Sequence, residues 1–491
     1  MTVVLTGRDL QRPDVVRVAR GGEPVELAPS ALRRMADARA VVEERLAAGD
    51  RIYGSSTAVG VLKRIDLTDA AAAEAYANRI VRQHLVAQGE AASVEIVRAT
   101  MLRLANGFAS GYPGVRPLLA ERLVAALNGG AAPRIRILGS VGQADLAQMA
   151  DLADALFRGL ALEPGEGLAL VSSNSFSTAA AVLAVEDIAT LLGTAEVAGA
   201  LSLEALGATV VGLDPAIGDA RPYPGLRTSL AGLRRLLDGS ALFEPDTPRA
   251  LQDPLSFRNL PQLLGAWRDA FEHADAHMAI ELNASQGNPV VLVEERRIVP
   301  TANFESLPVA AALDYLRIAL ASYLASSAER TVKLLETTWS GLPTGLAASG
   351  DPADPGLSYL GIAAQSVASE ARLLAAPVSI ELVSTAHAEG IEDRMSLTPL
   401  AARRLAEMAA LGSRVVAIEL AVAAQAVDLR AMARRGAGTA HASAVVREHV
   451  PFLAADATVP DLGSLVDAVR AGAFSPAAPP STTSSEPRSG A

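Results

Sequence analysis

Apolar residues return every three to four positions over long stretches of this 491-residue chain, and that period limits what it can fold into. Val309, Leu313, Leu316, Leu320 and Tyr323 form one stripe, and Val416, Leu420, Ala423 and Val427 form another. Side chains three and four residues apart share one face of an α-helix, whereas a half-buried strand needs alternation at every second residue. A spacing near 3.5 suits antiparallel bundle packing, so both stripes read as core or subunit interface rather than as ligand contacts. Nearer the start, Thr2 to Leu5 is strand-like. Leu32, Met35, Ala38, Val42 and Leu46 then predict a helix, and helical sequence resumes after a glycine-containing loop and continues through Leu127. The expected architecture is mainly α, with a long antiparallel helical bundle and a small mixed region at the N-terminus. Residues 1–200 are expected to form an N-terminal active-site domain, 201–474 the central and C-terminal helical bundle, and 475–491 a Ser/Pro/Thr-rich disordered tail.

Composition narrows the chemistry. Half the residues are apolar, enough for a large core, and only 4% are aromatic. A formal charge of −11 argues against nucleic-acid or anionic-membrane partners. With no cysteine there is no disulfide, thiolate metal site or cysteine nucleophile. The first residues lack a basic region followed by an apolar run, so no signal peptide is expected. Alanine-rich runs such as Ser177 to Leu192 are broken by acids and read as too polar to span a bilayer. The expectation is a cytoplasmic protein with a small-molecule substrate.

The chemistry-bearing segments are loops. Gly139-Ser-Val-Gly-Gln-Ala-Asp-Leu146 is rich in turn residues. Tyr53-Gly-Ser-Ser-Thr-Ala-Val-Gly60 places a phenol in a glycine-containing turn whose backbone N–H groups could stabilise a phenolate. Asn78-Arg-Ile-Val-Arg-Gln-His84 ends on a histidine able to donate and accept. Gln252-Asp-Pro-Leu-Ser-Phe-Arg258 ends on a guanidinium suited to gripping a carboxylate with two parallel bonds. Taken together, and with Asn283…Asn288-Pro289, Asn303-Phe304 and Ser327-x-Glu-Arg330, these segments resemble the aromatic amino acid ammonia-lyases from Met1 to about residue 450.

The resemblance implies roles. Tyr53 would be the base that removes the substrate's β-proton. His84 would contact a polar ring, imidazole-like or phenolic, and Arg258 would hold the carboxylate. Asn288 and Phe304 would line the pocket. Glu392, in the acidic pair Glu392-Asp393, would face the amino end, with Asp145 beside it. The segment before that pair, Ala386 to Ile391, is longer than in the resembled enzymes. The resemblance also implies a homotetramer with each site built from several subunits.

Departures from the family pattern sort by chemical role. The resembled enzymes carry Ala-Ser-Gly between Gly142 and Asp145, and these three residues cyclise into the electrophile methylidene-imidazolone. Here Gln143-Ala144 stands in that place, one residue short. Leu255 replaces a tyrosine and Ser172 an asparagine, both tied to the electrophile. Asn174 could substitute for that asparagine only if the backbone shifts. Ala-Ser-Gly does occur at Ala109–Gly111 and Ala348–Gly350, but neither follows Gly-Ser-Val-Gly.

Tyr53, His84 and Arg258 are kept while the electrophile and two of its supports are gone. A carbon–nitrogen lyase working without methylidene-imidazolone, cofactor or metal is therefore expected. A trimethylammonium leaving group would make this possible, because it carries its positive charge permanently and departs as neutral trimethylamine. The ergothionase subgroup, which releases trimethylamine from ergothioneine to give thiolurocanate, is similar in this respect. The alternatives are a histidine or tyrosine ammonia-lyase-like enzyme releasing ammonia, and an inactive homologue serving in binding or assembly.

Overall fold

The computed structural model describes residues 2–245, 249–380, 388–455 and 457–474; the tail 475–491 lies outside the described residues. The two stripes fall where the periodicity puts them. Val309, Leu313, Leu316, Leu320 and Tyr323 are buried on the helix Leu307–Leu335, and Val416, Leu420, Ala423 and Val427 on the helix Thr398–Arg430. Met35, Ala38 and Val42 are buried on the helix Pro29–Ala47. By length and composition alone, Glu166–Leu206, Leu307–Leu335 and Thr398–Arg430 are apolar enough to cross a membrane. That corrects the reading of the alanine-rich runs as too polar, because the acids within them are too few to offset the aliphatic content. In the fold, 89%, 61% and 83% of their most apolar windows are buried.

The chain divides into two compact units, each drawn from three stretches. One comprises residues 1–189, 267–322 and 370–411; the other comprises 190–266, 323–369 and 412–491. In the first unit, Val3–Leu5 pairs in parallel with Val25–Leu27, and Val290–Leu292 pairs antiparallel with Arg297–Val299. Gln88–Ala91 pairs antiparallel with Arg136–Leu138. This strand interrupts what the sequence suggests is unbroken helix up to Leu127, dividing Ala70–Gln83 from Val94–Ala109 and Pro117–Asn128. The pairing matters for the site, because one strand follows His84 and the other leads into Gly139.

The second unit is organised around a buried charge pair. Arg330 and Glu419 are both fully buried, with Nε to Oε1 at 2.6 Å and Nη2 to Oε2 at 2.9 Å. Burial is the largest influence and would lower the Arg330 pKa, but the charges and hydrogen bonds of Glu419 and Tyr323 together outweigh it and the net shift is upward. Ser202 and Ser327 donate hydroxyls to the two carboxylate oxygens, at 2.7 and 2.5 Å. Arg330 also donates to the Ser256 carbonyl at 3.1 Å, fixing the short helix Leu255–Arg258. Removing one partner of such a pair leaves a buried, uncompensated charge. Glu419→Gln is expected to cost about 3–5 kcal/mol, read as a lower urea midpoint. Arg330→Met combined with Glu419→Leu should recover most of that loss.

Candidate active site

Tyr53 sits in the loop between the helices Pro29–Ala47 and Ala70–Gln83. Its phenolic oxygen accepts the N–H of Gly60 at 3.0 Å, and Tyr76 likewise accepts that of Val59 at 2.9 Å, so two phenols hold the returning arm of the loop. Gly54, at φ +72, lets the loop close against Leu168, whose Cδ2 would lie 2.3 Å from any Cβ there. The Tyr53 loop is thereby packed on the helix Glu166–Val171. Burial pushes the Tyr53 pKa up, the Gly60 N–H pulls it down, and the charge of Glu392 adds to the rise; the net shift is upward. In this unit the group is therefore a phenol at neutral pH, with a donor in place for the phenolate.

His84 closes the helix Ala70–Gln83, which begins at Asp69 with a side-chain cap on the Ala72 N–H. The imidazole Nδ1 lies 2.7 Å from the Ile80 carbonyl. A carbonyl only accepts, so Nδ1 carries the proton and Nε2 of a neutral ring is left as an acceptor. From His84 the chain enters the strand Gln88–Ala91, whose partner Arg136–Leu138 delivers the next segment of the site.

That segment, Gly139 to Leu146, is a tight turn tied to three distant parts of the unit. Gly139 and Gly142 are left-handed at φ +117 and +93, and so is Ala144 at φ +60. Ser140 donates to the Ala144 carbonyl at 2.9 Å, closing the turn on itself. The Gly142 carbonyl is surrounded by donors: Asn174 Nδ2 at 2.9 Å, Ser396 Oγ at 3.1 Å and Ser306 Oγ at 3.2 Å. Thr398 Oγ1 lies 2.7 Å from Ser306 Oγ and extends the cluster. The Leu397 N–H donates to the Val141 carbonyl at 2.9 Å, with Leu397 itself left-handed at φ +54.

Asp145 is fully buried. Its carboxylate accepts the Ser177 N–H at 2.7 Å and the Ser177 hydroxyl at 2.8 Å, at the start of the helix Ser175–Leu206. The sequence suggests a group facing the leaving nitrogen; the structure turns this side chain inward, where it ties the turn to the helix. Burial pushes its pKa up to about 6 despite those donors.

The remaining residues are placed as follows. Asn174 is buried beside Gly142, its Nδ2 committed to the turn. Ser172 caps the helix Glu166–Val171, and with Ser55, Arg103, Gln286 and Asn288 it lines a cavity. Asn288 accepts the Thr301 N–H at 2.9 Å, bracing the segment that leads to Phe304. Phe304 and Glu392 are half-buried. Ala386 and His387, in the extended segment before Glu392, lie outside the described residues, and 388–390 form a 3-10 turn. Arg258 and Leu255 belong to the second unit, where both are exposed and Arg258 donates to Gln252. One residue not singled out in the sequence stands against the turn: Glu305, which accepts from Gln143 Nε2 at 3.0 Å. Its only sequence signal is its place directly after Asn303-Phe304 and two residues before a helix start.

Methylidene-imidazolone requires a serine and a glycine within three residues that cyclise. Gln143 and Ala144 fill that span, and the Ala144 carbonyl is already bound by Ser140. The residues present do not fit the group, and no step is routed through it. The second Ala-Ser-Gly, at Ala348–Gly350, belongs to the other unit, and Ser349 there donates to Asp354 at 2.7 Å.

Two outcomes follow from this geometry. A Cβ on Gly142 would lie 2.1 Å from Ser396 Oγ and 3.0 Å from the Leu397 nitrogen, at a backbone angle that resists side chains. Gly142→Ala should lower stability by about 2 kcal/mol or more, visible as a fall in Tm. For Asp145, the folded carboxyl keeps its proton up to about pH 6, whereas the ordinary value is 3.8. The folded state thus binds more protons in that window, and its stability declines as pH rises through it. Asp145→Asn has no such proton to lose. Its stability relative to the parent should rise by roughly 2–3 kcal/mol between pH 4 and 7, measured as urea midpoints at both pH values.

Comparison with known proteins gives the family. The aromatic amino acid lyase family model matches residues 10–160 and 157–448. Histidine ammonia-lyase of Symbiobacterium thermophilum is 35% identical over 96% of this chain and 97% of its own. Among solved structures, the ergothioneine-degrading enzyme ergothionase of Treponema denticola superposes with a TM-score of 0.91 at 27% identity, over 96% of this chain and 99% of that one. Tyrosine aminomutase of Streptomyces globisporus superposes with a TM-score of 0.89 at 28% identity, over 96% and 98%. With Tyr53, His84, Asn174 and the 139–146 turn in one unit, and with the family model matched over residues 10–160 and 157–448, this chain belongs to the aromatic amino acid lyase family.

Proposed function

We propose that this chain is a carbon–nitrogen lyase that eliminates trimethylamine from a betaine bearing a polar ring, with ergothioneine as the leading substrate and thiolurocanate as the product. The observation that carries this reading is the turn at Gly142-Gln143-Ala144. It is closed by Ser140 and held by Asn174 without residues able to build the electrophile, while the phenol of Tyr53 keeps its N–H donor from Gly60. Tyr53 takes the β-proton, the C–H electron pair becomes the new C=C bond, and the C–N pair leaves with nitrogen as neutral trimethylamine. No proton need reach the leaving group, so an electrophile that activates a neutral amine has no task.

Electrostatics favour the same substrate class. The Tyr53 pKa is raised by burial and by Glu392, so a phenolate needs help from positive charge. A quaternary ammonium brings that charge with it. The carboxylate of the substrate falls to Arg258, which is exposed on its unit, and the ring to the Nε2 of His84. We propose that the active assembly is a homotetramer in which neighbouring chains complete each site. A second reading, ammonia release from histidine, is favoured by the higher identity to histidine ammonia-lyase, 35% against 27% for ergothionase.

Incubation with ergothioneine, hercynine, histidine and tyrosine separates the two, by following the conjugated acrylate band and identifying the released amine. Trimethylamine is the expected product; ammonia from histidine in its place would establish the second reading. Tyr53→Phe should lower kcat by about 100-fold or more with binding largely kept. In the parent, kcat/KM should rise with pH toward the alkaline limit of stability, because a base whose pKa lies above its ordinary value gains active form as pH increases. Tyr53→Phe should flatten that profile, and a profile that keeps its slope would remove Tyr53 from the role of base.

A further inference from the structure

The side chain that stands where the cyclising residues would be has a partner of its own. Gln143 Nε2 donates to Glu305 Oε2 at 3.0 Å, and the backbones of the two residues form an isolated antiparallel bridge. The other oxygen, Glu305 Oε1, accepts the N–H of Leu307 at 2.9 Å, at the start of the long helix Leu307–Leu335. The positive end of that helix favours a carboxylate there. Glu305 is thus held by both oxygens, directly after Phe304 in the chain.

The amides around the turn leave a surplus of acceptors. Gln143 donates to a carboxylate and Asn174 to the Gly142 carbonyl, and neither partner can donate in return. Both amide orientations are thereby fixed. Their carbonyl oxygens, Gln143 Oε1 and Asn174 Oδ1, are buried with no hydrogen-bond partner among the described residues. Buried acceptors without donors are costly in a closed core, and a ligand that brings a donor or a positive charge would offset that cost. Here two such oxygens and one carboxylate flank a single turn, next to an aromatic side chain. That set suits a cationic nitrogen, because carboxylate and amide oxygens attract the charge.

We infer that Glu305, held in place by Gln143, is a specificity-determining residue whose carboxylate receives the cationic nitrogen of the substrate. This rests on the elimination proposed above and adds to it the group that selects the leaving end. Gln143 is the positioning residue: by spanning from the turn to Glu305 it gives the shortened loop a use that the cyclised triad would exclude.

Steady-state kinetics of the full chain on ergothioneine and hercynine test this. Glu305→Gln keeps an oxygen for the Leu307 N–H, so its Tm should stay close to that of the parent. It should raise KM for the betaine by about tenfold or more, with kcat and its pH profile nearly unchanged. Glu305→Asp should fall between the two, and Gln143→Ala should raise KM by a smaller factor. An unchanged KM in Glu305→Gln, or a fall in kcat at constant KM, would overturn the assignment. The leaving-group reading fails separately, by ammonia release from histidine without trimethylamine release from either betaine. In that event the same variant is measured on histidine, whose ammonium is also a cation, and an unchanged KM there would overturn the role of Glu305 as well.

Discussion

The Gly142 carbonyl oxygen is the point on which the candidate site depends. Asn174, Ser306 and Ser396 all reach it, from three segments far apart in the chain, and only a residue without a Cβ leaves room for them. A backbone carbonyl has two lone pairs, so these donors share it, and Ser306 and Ser396 extend the cluster to Thr398. The position of every neighbouring group is set from there. Asn174 begins the turn into the helix Ser175–Leu206, Ser306 precedes the helix Leu307–Leu335, and Ser396 follows the segment that carries Glu392. The Tyr53 loop joins the same framework through the helix Glu166–Val171, which it grips at Leu168 and which ends at Ser172, two residues before Asn174. Holding the turn this firmly requires left-handed backbone at Ala144 and Leu397, which are not glycines. Strain of that kind persists where surrounding bonds over-determine the conformation.

The second unit supplies a different kind of rigidity. Its buried ion pair, Arg330 with Glu419, is surrounded by hydroxyls from Ser202, Ser327 and Tyr323, and by the Ser256 carbonyl. A buried pair of this sort adds little net stability over a well-packed apolar core, but it fixes directions. Here it fixes the helix turn that bears Arg258 two residues beyond Ser256. The fully buried Phe257 anchors the turn from one side, so the exposed guanidinium is offered from a rigid base.

Much of this was legible in the amino-acid order. The two apolar stripes name faces that are buried along their full length, because a period near 3.5 leaves few other solutions for an alanine- and leucine-rich chain. The missing cyclising residues are visible by inspection, since they are a matter of composition at fixed positions. The inward turn of Asp145 is not. A carboxylate next to a glycine-rich loop gives the same local pattern whether it faces a ligand or caps a helix thirty residues on, and only the tertiary fold brings Ser177 to it. Glu305 escapes notice for a related reason: its meaning comes from Gln143, more than 160 residues away, and no periodicity links the two. The strand Gln88–Ala91 is hidden because it is exposed along its length and owes its form to pairing with Arg136–Leu138, not to apolar alternation.

The raised pKa of Tyr53 and the acceptor surplus around Gly142 both belong to the first unit. Burial and Glu392 both oppose a phenolate, and Glu305, Gln143 Oε1 and Asn174 Oδ1 add acceptors without adding a cation. A neutral ligand would leave that imbalance in place. Under the proposed function a zwitterion with a permanent positive nitrogen would lower the cost of removing the phenol proton and would bring charge, without an N–H donor, toward the acceptors. Under the proposed elimination the substrate itself would bring the positive charge, and Gln143 and Asn174, on and beside the turn at Gly142, would offer it acceptors.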